Sequence, residues 1–300
     1  MNALDHRLEK VRRAFPFEVA KLPLFGPDRE PTGYYGLFAD DTGTPVRSSS
    51  VSRVYEPHTT EDVLALAEAA ISTFPDIGDQ GDFTAFFNGG HCLSFAPRQE
   101  HRQAIFGTKD NIWPRINIRA MYDGKAFRAS CGYFRDACHN MAEIKSVRST
   151  NVTIRHDGGL RDKMDDLVKQ FRSLSTGWSN LKDWALTQED NQVNLRDFIH
   201  DLYGEPDADA SERTRSGYRN RATDILERIQ RERVATDRPN PSLSGPDWAC
   251  TGWEVWNGIQ GWNQWSRSRR GNVSDVQRAF LANQEPSVQR AAEMLTEMAV

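Results

Sequence analysis

The stretch that decides the fold is FTAFFNGGHCLSF, residues 83–95, read together with IWPRINIRAMYDGKAFRASCGYF, residues 112–134. Each holds two apolar runs around a turn signal, Asn88-Gly89-Gly90 in the first and Asp123-Gly124 in the second. Asn-Gly and Asp-Gly accept the positive φ that tight hairpins require, so each stretch predicts an antiparallel hairpin. In the second, Ile116, Ile118 and Ala120 fall on one face of a strand and Asn117 and Arg119 on the other. Some four antiparallel strands thus form the expected centre of the molecule.

Towards the N-terminus, Val51 to Tyr55 alternates and predicts a strand. A helix then opens at Thr59 or Thr60, with Glu61 and Asp62 in its first turn and Val63, Leu64, Ala67, Ala70 and Ile71 at helical spacing. Residues 4–14 predict a short helix. The Pro/Gly-rich run that follows reads as an irregular arm over residues 1–45, packed on the core or docked on a neighbouring subunit. Towards the C-terminus, the segment beginning RDACHNMAEIKSV predicts a helix, and NVTIRH a strand. Leu160 to Leu174 and residues 180–203 read as further helices, completing an α+β core domain over 46–203. An acidic linker, a charged helix from Arg213 to Arg233, a Pro/Ser-rich loop and two or three last helices make a mainly helical region over 204–300. The expected fold class is α+β, an antiparallel sheet with packed helices followed by helical structure.

At 38% apolar and 27% charged residues the chain has the composition of a water-soluble globular protein. A net charge of −4 excludes a simple polycation, so nucleic-acid binding requires a local basic surface. Cys92, Cys131, Cys138 and Cys250 contain no C-x-x-C pair, which predicts reduced thiols in a bacterial cytoplasm. Neither a signal-peptide core nor an apolar run of membrane-spanning length is seen.

Catalytic motifs are scarce. The sequence holds no G-x-S-x-G elbow and no phosphate-binding G-x-x-x-x-G-K-[ST] loop. His91-Cys92 and Cys138-His139 are adjacent pairs whose side chains diverge, a poor arrangement for a zinc site. A Cys–His thiol pair is conceivable for Cys131 or Cys138 with His139 or His156, but nothing marks an oxyanion hole. Asp162 and Asp166 share a helix face with lysines interleaved, the pattern of a solvated surface. No catalytic residue, cofactor or metal is expected.

The basic stretches carry more. From Arg98 to Arg135, eight Lys and Arg face three acids. A hairpin that gathers Arg115, Arg119, Lys125 and Arg128 near Tyr122 combines cations for phosphates with rings for bases, as single-strand binders do. A second patch lies on the helix from Arg213 to Arg233, and a third is Arg267, Arg269 and Arg270. Ordinary surface charge is the competing account of each. Trp253, Trp256, Trp262 and Trp265 lie in TGWEVWNGIQGWNQW, which reads as a buried helix or a subunit interface with aromatic anchors, ahead of base stacking.

FRDACHNMA, with Arg135, Cys138 and Asn140, resembles the R-x-x-C-x-N segment of the phage- and plasmid-borne family called domain of unknown function 932. The Arg155-His156 that follows, the hairpin at Gly89-Gly90, the Asp123-Gly124 turn and the late Trp-rich helix are similar to that family in the same order. The resemblance spans Gly43 to Met298, with Cys131 and the high Trp content as departures. It implies a mobile-element context and leaves activity open. At the motif itself, Asn140 is expected to bond backbone, Cys138 to fill an apolar slot, and Arg135 to reach a carboxylate or phosphate, with His156 also able to meet an anion.

The expected function is therefore non-catalytic binding of nucleic acid, of single-stranded binding or annealing type, in mobile-element DNA metabolism. The hairpin-and-helix order is similar in outline to phage single-strand annealing proteins. The alternative is a protein-binding factor that inhibits or redirects a host system through the Trp-rich region and the N-terminal arm, and a metal-dependent nuclease comes third. Single-stranded nucleic acid, further copies of the chain and a host protein are the expected partners, with no membrane.

Overall fold

The computed structural model describes residues 3–15, 17–46, 50–73, 83–96, 103–104, 109–123, 127–154, 160–237, 248–266 and 273–299. Its elements run α1 (Ala3–Ala14), β1 (Val19–Phe25), β2 (Pro31–Ala39), α2 (Thr60–Thr73), β3 (Phe83–Phe87), β4 (Gly90–Phe95), β5 (Gln103–Ala104), β6 (Asn111–Met121), β7 (Phe127–Arg135), β8 (Asn140–Ala142) and β9 (Asn151–Ile154). Then come α3 (Leu160–Asp190), β10 (Gln192–Asn194), α4 (Leu195–Tyr203), α5 (Glu212–Ala235), β11 (Ala249–Thr251), α6 (Gly252–Gly261), a π-helical turn (Trp262–Ser266), α7 (Asp275–Ala282) and α8 (Pro286–Met298). The fold is α+β. Its main sheet has the order β3-β4-β6-β7-β8, with β5 on β6 and β9 on β7.

Two compact units share the chain. The first takes residues 1–101, 115–131 and 149–177, the second 102–114, 132–148 and 178–300. The acidic linker after α4 lies inside the second unit, so the compact units cross the boundary drawn from composition at residue 203.

In the first unit the β3–β4 hairpin forms as expected, Phe83 opposite Phe95 and Phe87 opposite His91. Gly89 takes φ 67 in its turn, where a side chain would be strained. β4 pairs β6 with Gly90 opposite Met121, and a Cβ at Gly90 would collide with the Ala120 backbone. β6 and β7 are neighbours as predicted, and Gly124 in the intervening turn lies outside the described residues. Thr59 caps α2 through Asp62, its hydroxyl 2.9 Å from the Asp62 carboxylate.

Several expectations need correction. The N-terminal segment is no irregular arm: α1 is followed by a β1–β2 ribbon, Val19 opposite Ala39. Pro31 opens its strand and the register shifts between Pro23 and Phe25, positions where an unbonded proline nitrogen is tolerated. Val51 makes only an isolated bridge to Tyr35 in place of a strand. The helix expected after Phe134 is a turn followed by β8, because His139 at φ 54 breaks helical geometry and Met141 pairs with Phe134. The helices expected over 160–174 and 180–203 divide elsewhere: α3 runs unbroken from Leu160 to Asp190, and β10 separates it from α4. Residue 177 in α3 is glycine where the Ser149 carbonyl lies in the place of a Cβ.

The first unit buries aromatic rings around two histidines. His58 stacks on Tyr122 with centroids 4.1 Å apart, and its Nε2 lies 2.8 Å from His91 Nδ1. Phe15 closes on His91 at 4.0 Å between centroids. Tyr122 donates its hydroxyl to the His58 carbonyl at 2.9 Å. Burial pushes the His91 imidazole down to about 3, far below the ordinary histidine range.

The second unit is built on α6, every residue of which is buried. Thr251 and Glu254 form a capping box at its start. A Cβ at Gly258 would sit 2.7 Å from Ile229 Cγ1, so the glycine is what lets α6 approach α5. Trp253, Trp256, Val255 and Ile259 pack with Ile225 and Ile229 of α5 and Val288, Ala292 and Leu295 of α8.

Among the described residues β8 pairs with β7 alone, and three carboxamide side chains occupy the other edge of β8 and of the chain just after it. Met141 N–H donates to Gln264 Oε1 at 3.1 Å, while Gln264 Nε2 donates to the His139 carbonyl at 3.2 Å. Asn283 repeats the arrangement two residues on, accepting from Glu143 N–H at 3.2 Å and donating to the Met141 carbonyl at 3.0 Å. Gln289 repeats it again with Lys145 N–H at 3.0 Å and the Glu143 carbonyl at 2.9 Å. A primary amide presents the same acceptor and donor as a peptide group, so these side chains stand in for a missing strand and close the edge to foreign pairing.

Two measurements follow from these interiors. Between the ordinary histidine pKa and about 3, the unfolded chain binds a proton that folded His91 refuses, so stability falls as pH drops from about 6.5 towards 3. Denaturant titrations at neutral and acid pH should show the wild type losing on the order of 3–5 kcal/mol, and His91→Gln losing clearly less. On the sheet edge, Asn283→Leu strands buried backbone groups and is expected to cost about 2–3 kcal/mol. Gln289→Leu, at a half-buried position that water reaches, should cost less than about 1 kcal/mol. Equal costs at the two positions would contradict the edge account.

Candidate nucleic-acid interface

The sequence motif Arg135-x-x-Cys138-x-Asn140 resolves into a buried ionic cluster within the second unit. Arg135 is almost wholly buried at the end of β7. Its Nε and Nη2 donate to the two oxygens of Asp110 at 2.7 and 2.8 Å, and its Nη1 donates to Glu232 of α5. Cys138 Sγ lies 3.6 Å from Nη1, and the Trp253 ring packs over the guanidinium at 5.5 Å. Trp253 Nε1 donates to Asp110 Oδ2 at 3.1 Å. Arg135 does meet anions, and both belong to its own chain.

One cation between two carboxylates is unbalanced, and burial compensates by pushing the Glu232 carboxyl up against the pull of Arg135. Burial and the neighbouring Glu232 also raise the Cys138 thiol to about 12, which leaves almost no thiolate at neutral pH. Asn140 donates to the Asn257 carbonyl at 3.0 Å and accepts from Trp265 Nε1 at 3.2 Å, tying β8 to α6 and its π-turn. The motif is a structural joint. Among the described residues no group of three or more His, Cys, Asp or Glu side chains could hold a metal ion.

The cationic hairpin surface expected around Tyr122 is not open. Arg115 and Arg119 are 5% and 6% exposed, and Tyr122 is fully buried. Arg115 Nε donates to Ser94 Oγ at 2.6 Å, and Ser94 donates to Asn117 Oδ1 at 2.5 Å. The physical reason is that both faces of β4 and of the middle of β6 are covered, so alternation along the strand does not separate inside from outside. Arg128 on β7 is exposed. Lys125, His156, Arg267, Arg269 and Arg270 lie outside the described residues. Of the tryptophans, Trp253 and Trp256 are fully buried, whereas Trp262 and Trp265 keep partial exposure.

The accessible combination of cations and rings lies instead on α4, α5 and the π-turn, all in the second unit. The Arg221 guanidinium stands over two rings, 4.3 Å from the Tyr203 centroid and 5.3 Å from that of Trp262. Trp262 Nε1 donates to Asp224 at 3.3 Å, and Arg228 reaches Ser266 at 3.2 Å. Beside them a cleft of about 740 Å³ opens between α4 and α5, lined by Arg196, His200, Arg215, Tyr218, Arg219 and Trp248 among others. Arg219 is paired with Glu212 at 2.5 Å.

Sequence reasoning passed over Arg196, His200, Tyr218 and Trp248. The spacing contained the signal: Arg196 and His200 are i,i+4 on α4, and Arg215, Tyr218, Arg219 and Ala222 follow the i,i+3,i+4,i+7 pattern of a single face of α5.

Removal of the cation from the buried cluster tests its role. Arg135→Met leaves two buried carboxylates without their partner and is expected to cost about 3–5 kcal/mol in denaturant unfolding. Glu232→Gln keeps an acceptor for Arg135 and restores charge balance, so its cost should be under about 1.5 kcal/mol.

Within the described residues no helix is long and apolar enough to cross a membrane. No curated protein and no solved structure matches the chain. The profile of the family described as domain of unknown function (DUF932) matches residues 48–290. With that match covering well over half of its length, the chain belongs to the domain of unknown function 932 family.

Proposed function

We propose that this protein is a non-catalytic binder of single-stranded nucleic acid, acting in the DNA metabolism of the mobile element that its family resemblance implies. The observation that carries the reading is Arg221 stacked over Tyr203 and Trp262, beside a cleft where further arginines and rings converge. Guanidinium groups bind phosphates, and partly exposed rings accept unstacked bases of any sequence. Seven arginines against four acids give α5 a local excess of three positive charges in a net-acidic chain (7 − 4 = 3).

Fluorescence anisotropy with a short unstructured oligonucleotide tests the proposal. Binding should be measurable at low salt and weaken steeply between about 50 and 200 mM, with a logarithmic slope of about 0.7 per phosphate contacted. The double substitution Arg215→Ala, Arg219→Ala should lower affinity and reduce the slope by about 1.4, two contacts' worth. A flat titration at low salt would falsify the proposal.

A second reading, a protein-binding factor, is favoured by the N-terminal segment, one of the two contact surfaces expected for it. Trp253 and Trp256 are interior, but the β1–β2 ribbon displays Leu22 at 49%, Phe25 at 59% and Tyr34 at 58% exposure. Apolar side chains so placed suit contact with another protein.

A further inference from the structure

We infer that the cleft between α4 and α5 is a subsite for one nucleotide whose base carries an exocyclic amino group, guanine above all, and that it discriminates against thymine. This deepens the single-strand reading and rests on it.

Size and lining define the occupant. About 740 Å³ lies within the range of small-molecule sites. Tyr218 from α5 and Trp248 from the segment before β11 bring two half-buried rings to the cleft. Trp248 is held at φ 40, in the left-handed region that a bulky side chain rarely adopts, and its carbonyl accepts Leu195 N–H at 3.1 Å. Strained residues of this kind are retained where they hold a ligand-facing group in place.

The charges are mixed, and that is what selects the ligand class. Arg215 has its Nε fixed on the Ala210 carbonyl at 2.9 Å, which orients the remaining guanidinium nitrogens. Arg196 makes no side-chain hydrogen bond or ion pair among the described residues and is available for a phosphate. Asp197, in the first turn of α4, and Glu205, just beyond its end, line the same cleft. Three arginines line the cleft, and with Arg219 held by Glu212, Asp197 and Glu205 offset Arg196 and Arg215, so a bare phosphate gains little there.

A nucleotide resolves the conflict. Its phosphate meets the arginines, its base stacks on a ring, and the carboxylates accept N–H donors from the base edge. Guanine offers two adjacent donors, N1–H and the 2-amino group, to one carboxylate. Cytosine and adenine offer an amino group beside acceptors. Thymine places carbonyl oxygens on both sides of its single N–H, which repels a carboxylate.

Isothermal titration calorimetry with dGMP, dTMP and inorganic phosphate reads this directly on the full chain. The expected order is dGMP tighter than dTMP by at least about fivefold, with phosphate not saturating. Asp197→Asn combined with Glu205→Gln should collapse the dGMP–dTMP gap. Tyr218→Ala should weaken both nucleotides while Tyr218→Phe preserves them, a comparison that separates lost stacking from lost folding. Equal binding of dGMP and dTMP, phosphate binding as well as dGMP, or no mononucleotide binding alongside a positive oligonucleotide titration overturns the subsite and leaves the single-strand reading standing. If the oligonucleotide also fails to bind, both fall together.

Discussion

The second unit depends on the place found for one charge. Arg135 sits in an interior with almost no solvent contact, where a lone guanidinium would be untenable. Its fork is filled by Asp110 on one side and Glu232 on the other, and its face is covered by Trp253. These partners come from the approach to β6, from α5 and from α6, separated by as many as 143 positions along the chain. A directional network of this kind specifies which helix meets which strand, a demand that apolar contacts alone impose weakly.

Around that joint, the unit replaces backbone with side chain. Gln264, Asn283 and Gln289 run along the outer edge of β8 as a row of amides, each taking one N–H and one carbonyl at two-residue intervals. Asn140 and Asn257 extend the same solution to the contact between strand and helix. Helical structure thus ends a sheet without leaving the unpaired groups that make edge strands prone to association. It also explains how a helix holding Asn257 and Gln260 can be buried throughout: the Asn257 amide and Gln260 Nε2 are bonded.

Those commitments leave the surface of α4 and α5 as the one on which the proposed binding rests. The arginine of the family motif is spent on internal carboxylates, the hairpin arginines are covered, and the first two tryptophans of the cluster are core. Among the partly exposed rings of the second unit, Tyr203, Tyr218, Trp248 and Trp262 carry arginines or line the cleft. Their value for binding comes from being held by folded structure while keeping one face accessible, as Arg221 over Tyr203 and Trp262 illustrates.

Local chemistry was legible directly. Asn88-Gly89-Gly90 specified a hairpin because Gly89 needs positive φ, Thr59 announced a helix start through its hydroxyl, and the apolar spacing of residues 63–70 specified α2. The α+β class followed from those short-range rules. What only the tertiary structure decided was which polar residues are inside. Arg115, Arg119 and Arg135 look alike in sequence to Arg128, and nothing local reveals that a strand will be covered on both faces or that Asp110 and Glu232 will arrive beside one guanidinium. The segment after Phe134 became a strand because its edge is completed by amides more than a hundred residues away. Turn geometry and capping are set by neighbours in the chain, whereas burial and charge pairing are set by neighbours in space. The proposed binding surface belongs to the second kind.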